Sequence, residues 1–188
     1  RVRAGDVIVG IAASGVTPFV RAALSEGKRL GARTVLVACA AGGPARPTAD
    51  VSIISRVGPE ILTGSTRLKA GSATKMILNM LTTASMVSLG KVYQNRMVDL
   101  QPKSRKLRAR ALGLVQEIGK VSRPTGERLL RAAGWRAKVA IVMARLGLDP
   151  PEALSRLAAA DGSLRRCLES APGAIRRPLS GSRERRAR

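Results

Sequence analysis

The sequence predicts an α/β protein in which a parallel sheet is followed by a small helical subdomain. Short apolar runs that end in turn residues occur three times within the first 54 residues, and helical patterns follow the first and the third run. Strands that alternate with helices at such spacing indicate right-handed βαβ units and a parallel sheet. From about residue 104 onward, apolar residues recur only at helical spacing, which predicts helices without strands.

The predicted elements follow in order. Residues 7–12 form an apolar run that ends in Ser-Gly, as expected of a buried parallel strand. Pro18 suits the first position of a helix, which should stop near residues 27–31. Residues 34–39 and Val51–Ile54 are the second and third strands, with a loop rich in glycine and proline between them.

A long turn and a helix come after the third strand. Gly58-Pro59 interrupts regular structure, and residues 63–65 supply a turn with hydroxyl groups. Apolar side chains then recur at three- and four-residue steps over residues 73–87, which predicts a helix. Free N–H groups and the positive end of the dipole at a helix start suit an oxyanion, phosphate above all, although an ordinary capped helix is the alternative.

Two turns supply the candidate binding residues. Ser14 and Thr17 place hydroxyls on the turn after the first strand, where Gly15 allows close backbone approach. Ligands of parallel sheets bind beyond the carboxyl ends of the strands, where we expect both this turn and residues 60–66 to lie. The predicted substrate-binding residues are Ser14, Gly15, Thr17, Glu60, Ser65, Thr66, Arg67 and Lys69.

Composition excludes several classes of site and partner. There is no histidine, so the common zinc spacings and a Ser-His-Asp or Cys-His arrangement are absent, and we expect no metal and no cofactor. Cys39 and Cys167 lie far apart and are expected to be free thiols. No apolar run reaches the roughly 18 residues of a membrane span. The net charge of +22 attracts polyanions, but one Trp, one Tyr and one Phe give few surfaces for stacking bases, which disfavours nucleic acid.

The segment GPEILTGSTRLKAGSATKMILN at residues 58–79 resembles the signature of bacterial N-acetylmuramic acid 6-phosphate etherases and of the glucokinase regulatory protein. Both belong to the sugar isomerase fold superfamily. Residues 10–20 resemble the first phosphate loop of the etherases, and residues 78–99 follow the same family in order. Val16 stands where the family usually has Arg, and Ala40-Ala41 stands where Asn-Pro is usual. The etherases are the closer of the two relatives.

This resemblance implies a partial doubly wound parallel sheet of the sugar isomerase fold followed by a small C-terminal helical subdomain. Residues 1–100 would be the C-terminal part of a sugar-phosphate-binding domain, and residues 101–170 would include three short helices similar to a ubiquitin-associated domain. Residues 171–188 would be a disordered basic tail. Because residue 1 is Arg and a strand begins at Val7, we expect an N-terminal portion to be missing.

The activity implied is that of a lyase that removes D-lactate from N-acetylmuramic acid 6-phosphate, leaving N-acetylglucosamine 6-phosphate, in the cytoplasmic catabolism of cell-wall amino sugars. The resemblance also implies a homodimer. The family's two catalytic glutamates belong to its N-terminal half and match no segment here, so we predict no catalytic residue and an inactive fragment. The alternative is a non-catalytic sugar-phosphate-binding regulator of the same fold. For Glu60 we expect contact with the sugar, ahead of capping the next turn and of acting as a base.

Overall fold

The computed structural model describes residues 1–40 and 47–169. The predicted loop at residues 42–44 and the tail predicted to be disordered, residues 171–188, lie outside this described part. The chain divides into two compact units, Arg1–Thr83 and Ala84–Arg188. The domain limits predicted near residues 100 and 170 stay predictions.

Within the described residues, the first unit contains a parallel sheet of three strands. The strands are β1 (Val7–Ile11), β2 (Arg33–Ala38) and β3 (Val51–Ile54), and they lie in the order β1-β2-β3. Both neighbouring pairs are parallel. The predicted strands and their parallel arrangement are confirmed, with limits that differ by no more than one residue.

Helix α1 (Pro18–Arg29) packs closely on one face of this sheet. Its buried Val20 and Leu24 face β1 and β2, where Leu36 is fully buried. Gly10 permits the close approach, because a Cβ atom built there would lie 2.7 Å from Val20 Cγ1 and 2.9 Å from Leu24 Cδ1. A glycine at this strand position therefore sets how near the helix can lie.

The opposite face of the sheet is partly open: Val37 of β2 is fully buried there, but apolar residues of β1 and β3 are exposed. The register places Val9, Val35 and Val51 in one row on that face, because residues paired across parallel strands point to the same side. Val9 is 39% exposed and Val51 52% exposed, and Val7 and Ile11 on the same side of β1 are 61% and 44% exposed. Apolar side chains thus remain in contact with solvent.

A polar pair fastens the start of β3 to β2. The backbone N–H of Thr34 donates to Asp50 Oδ2 at 2.8 Å, and the Thr34 hydroxyl donates to the same oxygen at 2.9 Å. The Asp50 N–H donates in return to Thr34 Oγ1 at 3.1 Å. The N–H and then the hydroxyl of Thr34 hold the pKa of Asp50 below its ordinary value of 3.8. Thr34 is fully buried, so these bonds satisfy polar atoms that water cannot reach.

Helix α2 (Lys69–Ser88) follows the irregular segment after β3 and contains the division between the units. The apolar periodicity in the sequence starts only at Ala73, so the helix begins four residues before that pattern. Of the apolar stripe in that pattern, only Ile77 is buried, and Met76 and Met80 are each 60% exposed.

The second unit is a short hairpin followed by helices. Strands β4 (Val92–Tyr93) and β5 (Arg96–Met97) pair antiparallel, and the sequence did not predict them. The prediction of helices from about residue 104 onward is confirmed within the described residues. The helices are α3 (Arg105–Gly119), α4 (Arg123–Ala132), α5 (Ala137–Leu146), α6 (Pro150–Ala159) and α7 (Leu164–Glu169).

Helix α5 lies at the centre of this unit and packs against α3, α4, α6 and α7. Its sequence is apolar on nearly all sides, as a helix surrounded by others requires, and Ile141 and Val142 are fully buried. Helix ends follow local signals: Asp149 and Glu152 form a capping box at the start of α6, and Gly147 ends α5 in a left-handed conformation. None of the helices within residues 1–40 and 47–169 combines the length and apolar character needed to cross a membrane.

Candidate functional site

The turn after β1 leads directly into α1. The Gly15 N–H donates to the carbonyl of Ala12 at 2.8 Å, and Gly15 has a φ of 76°, a left-handed conformation that favours glycine. Ser14 is exposed, and its Oγ accepts a hydrogen bond of 3.3 Å from the Val16 N–H. Because that oxygen serves as an acceptor, the hydroxyl proton of Ser14 is available to a ligand.

Thr17 occupies the cap position of α1 without capping it. Its side chain makes no hydrogen bond to the first turn of the helix, although threonine is a common capping residue. Pro18 follows and has no N–H of its own. The exposed Thr17 hydroxyl therefore does not accept a hydrogen bond from the N–H groups of Phe19 or Val20. A helix start without a side-chain cap suits a bound oxyanion.

Glu60 caps the start of α2. Its Oε2 accepts from the Lys69 N–H and its Oε1 from the Ala70 N–H, each at 3.0 Å. The N–H groups of Ala70 and then Lys69, helped by the charge of Lys69, hold the pKa of Glu60 below its ordinary value of 4.5. Base catalysis, which the sequence ranked last of the three roles for Glu60, needs a raised pKa, so the lowered pKa agrees with that ranking. Capping is what the structure shows, and contact with a sugar stays a prediction.

The arrangement also corrects the expected mode of anion binding at this helix. Two of the N–H groups predicted to meet a phosphate are already bonded to the protein's own carboxylate. An anion at the same turn would instead meet side chains of the preceding loop. Ser65 is half-buried there, and Thr66, Arg67 and Lys69 are exposed.

Cys39, the residue directly after β2, contacts both turns. Its N–H donates to the carbonyl of Ala13 at 3.0 Å, next to Ser14. Its thiol donates to the carbonyl of Ala70 at 3.5 Å and lies 3.6 Å from Thr74 Oγ1. The turn after β1 and the start of α2 therefore meet at one residue. Sequence reasoning treated Cys39 only as a free thiol, although its place at the carboxyl end of the second strand was a usable signal.

These contacts bring together the backbone beside Ser14 and the helix start beside Glu60. Convergence of the hydroxyls of Ser14, Thr17, Ser65 and Thr66 on one ligand stays a prediction. No group of three Cys, Asp or Glu side chains able to hold a metal ion occurs in the described part of the chain.

Part of the chain matches a known protein family. Residues 1–84 match the SIS domain family. The predicted sugar isomerase fold is confirmed for this part of the chain.

A larger part of the chain is similar to curated proteins named N-acetylmuramic acid 6-phosphate etherase. The chain is 51% identical to the one from Burkholderia lata over 87% of its residues, and these cover 54% of that relative. It is 49% identical to etherase 2 of Vibrio cholerae, of which it covers 53%. It is 48% identical to the etherase of a Geobacillus species over 88% of its residues, covering 56% of that protein. The chain thus spans about half the length of these curated relatives, and its predicted resemblance to them is confirmed.

Proposed function

We propose that this chain is the sugar-phosphate-binding part of an N-acetylmuramic acid 6-phosphate etherase. Such an enzyme removes D-lactate from its substrate and leaves N-acetylglucosamine 6-phosphate. The observation that carries the proposal is the meeting of two hydroxyl-rich turns at Cys39, beyond the carboxyl end of the central strand. Similarity to proteins named as etherases supports the choice of substrate.

The phosphate would be held mainly by side chains and by the start of α1. Thr17 leaves that helix start uncapped, so N–H groups and the helix dipole can act on an anion. On the other turn, Ser65 and Thr66 offer hydroxyl donors. Arg67 and Lys69 add positive charge in the same loop, where Glu60 has closed the start of α2.

The chemical step would depend on groups other than those of the two turns. Elimination of lactate needs a base for the proton on carbon 2 and an acid for the departing oxygen. Glu60 is ionised and bonded to two N–H groups, which leaves it a weak base. We therefore expect these 188 residues alone to bind the product sugar phosphate without releasing lactate. A cytoplasmic homodimer acting in peptidoglycan recycling is part of the same proposal.

The same bonding of Glu60 favours a second candidate, a regulator that binds sugar phosphates without catalysis. Neither turn contains a carboxylate in a state suited to proton abstraction, and a binding protein needs none. The two candidates differ in one measurement. A protein that carries these residues at the full length of its relatives should release D-lactate from N-acetylmuramic acid 6-phosphate if it is an etherase, and should only bind if it is a regulator.

Binding itself can be tested on this chain by calorimetric titration with N-acetylglucosamine 6-phosphate and with unphosphorylated N-acetylglucosamine. We expect binding of the phosphate ester only. The Ser14→Ala and Ser65→Ala variants should each bind about tenfold or more weakly, because each loses a donor to a charged group. Ser25→Ala, an exposed serine on α1 away from both turns, is the matched control. Equal affinity for the two sugars would overturn the phosphate site.

A further inference from the structure

Glu60 closes a loop of eight residues, numbers 61–68, onto the helix that follows. Both carboxylate oxygens are used, one on the N–H of residue 69 and one on the N–H of residue 70, each at 3.0 Å. We call this pair of hydrogen bonds the Glu60 clasp. The loop that it closes contains Ser65, Thr66 and Arg67, which are the candidate phosphate ligands on this side.

Apolar packing does little to hold this loop. Ile61 is 85% exposed, Leu62 66% and Leu68 51%, so its three large apolar side chains lie mostly in solvent. Within the loop, the Ser65 N–H donates to the carbonyl of Leu62 at 3.0 Å, which shapes a turn but does not attach it to the rest of the protein. The position of the loop therefore depends on its ends, and the clasp fixes those ends to each other.

The helix end of the clasp is itself anchored to the sheet. Ala70 is 3% exposed, and its carbonyl accepts a hydrogen bond of 3.5 Å from the thiol of Cys39 at the end of β2. Ala70 thus bonds to Glu60 through its N–H and to Cys39 through its carbonyl. A side chain that holds a loop to a rigid element in this way orders the ligands on the loop before a substrate arrives.

We propose that Glu60 is a positioning residue for the phosphate: it holds loop 61–68 so that the hydroxyls of Ser65 and Thr66 are in place, and it does not contact the sugar. The role rests on the proposed function. A bare carboxylate beside a phosphate would repel it, but here two N–H groups, the positive end of α2 and Lys69 surround the negative charge. The carboxylate can therefore lie close to a bound phosphate with little repulsion between the two negative charges.

The test compares two probes, inorganic phosphate and N-acetylglucosamine 6-phosphate, on the 188-residue chain. In Glu60→Gln, the amide keeps the shape of the side chain but accepts at one oxygen only. We expect both probes to bind about tenfold more weakly, by the same factor, because the loop and not the sugar is affected. Glu26→Gln is the control, since Glu26 is an exposed carboxylate whose partner is Arg29 on the same helix. It should bind both probes as the wild type does.

Several outcomes would overturn this role. If Glu60 contacted the sugar, Glu60→Gln would weaken binding of N-acetylglucosamine 6-phosphate and leave binding of inorganic phosphate unchanged. If the clasp were only structural, Glu60→Gln would lower the melting temperature and leave both affinities unchanged in the folded protein. Circular dichroism of each variant shows that the comparison is made between folded proteins.

Failure of the proposed function gives a different result. A wild-type chain that binds neither probe would overturn the phosphate site and the positioning role together. Amide exchange at Ser65 and Thr66, measured in wild type and Glu60→Gln, still reports whether the clasp orders the loop. If affinity changes in Glu60→Gln while exchange at these two amides does not, the site stands and the positioning role is wrong.

Discussion

Replacing Gly10 by alanine should destabilise the first unit, because no space exists for one more methyl group between β1 and α1. The new carbon would lie 2.7 Å from Val20 Cγ1, 2.9 Å from Leu24 Cδ1 and 3.0 Å from Leu24 Cγ. Carbon atoms prefer a separation of about 3.5–4.0 Å, so the helix must move by several tenths of an ångström or more. Val20 and Leu24 are 9% and 1% exposed, and neither can turn into solvent.

Overpacking of this kind costs about 1–3 kcal/mol of unfolding free energy. In a unit of this size, each kcal/mol corresponds to a fall of about 4–8 °C in melting temperature. Thermal unfolding followed by circular dichroism measures the change, and the fluorescence of Trp135, the only tryptophan, reports separately on the second unit.

The matched control is Gly71→Ala in the same unit. A Cβ atom at Gly71 meets only the carbonyl oxygen of Thr66, at 3.6 Å, which is an ordinary contact. The change should stabilise α2 by up to about 1 kcal/mol, since alanine is the better helix former. If Gly10→Ala melted no lower than the wild type, or if Gly71→Ala lost as much stability, the steric explanation would be refuted.

Two further predictions concern stability in each unit. Leu130→Ala removes a fully buried side chain from the helical core and should lower the free energy of unfolding by about 2–5 kcal/mol, measured by urea unfolding followed by Trp135 fluorescence. Leu89→Ala is the control, because Leu89 is 61% exposed in the same unit and its loss should cost far less. Similar losses in the two variants would contradict this packing. Glu60 and Asp50 have native pKa values below their ordinary 4.5 and 3.8, so their stabilisation is complete above those values and is lost as pH falls through the lower native ones. Melting temperatures of the first unit should therefore fall below about pH 4.5 in wild type and less steeply in the Asp50→Asn/Glu60→Gln variant; an unchanged slope would assign the acid sensitivity to other groups.

Elements that depend on neighbouring residues could be predicted from the sequence. The strands end within a residue of their predicted limits, because apolar runs and the Gly or Pro residues beside them act locally. Helix α7 was missed, although Leu164, Cys167 and Leu168 are buried and follow a three- and four-residue spacing. Its six residues are too few for periodicity alone to reveal.

Contacts between distant residues explain most of what the sequence could not predict. The sequence places hydroxyls at two turns, but the bond from Glu60 to Ala70 spans ten residues and the bond from Cys39 to Ala70 spans 31. Whether a carboxylate contacts a substrate or the protein's own backbone depends on which distant residues the fold brings next to it. For Glu60 these neighbours are the N–H groups of Lys69 and Ala70, and residue type and spacing alone do not predict that contact.

The open face of the sheet, formed by Val7, Val9, Ile11 and Val51, has a consequence for how stability can be defined. Parallel sheets are normally covered on both sides, and each Å² of apolar surface removed from water contributes about 25 cal/mol. That contribution is not made by the first unit alone, because these four side chains are 39% to 61% exposed. Any segment or molecule that covers the face binds the folded state and not the unfolded one. If such a segment or molecule is present, the free energy of unfolding depends on its concentration and affinity, as it does for a protein with a bound ligand.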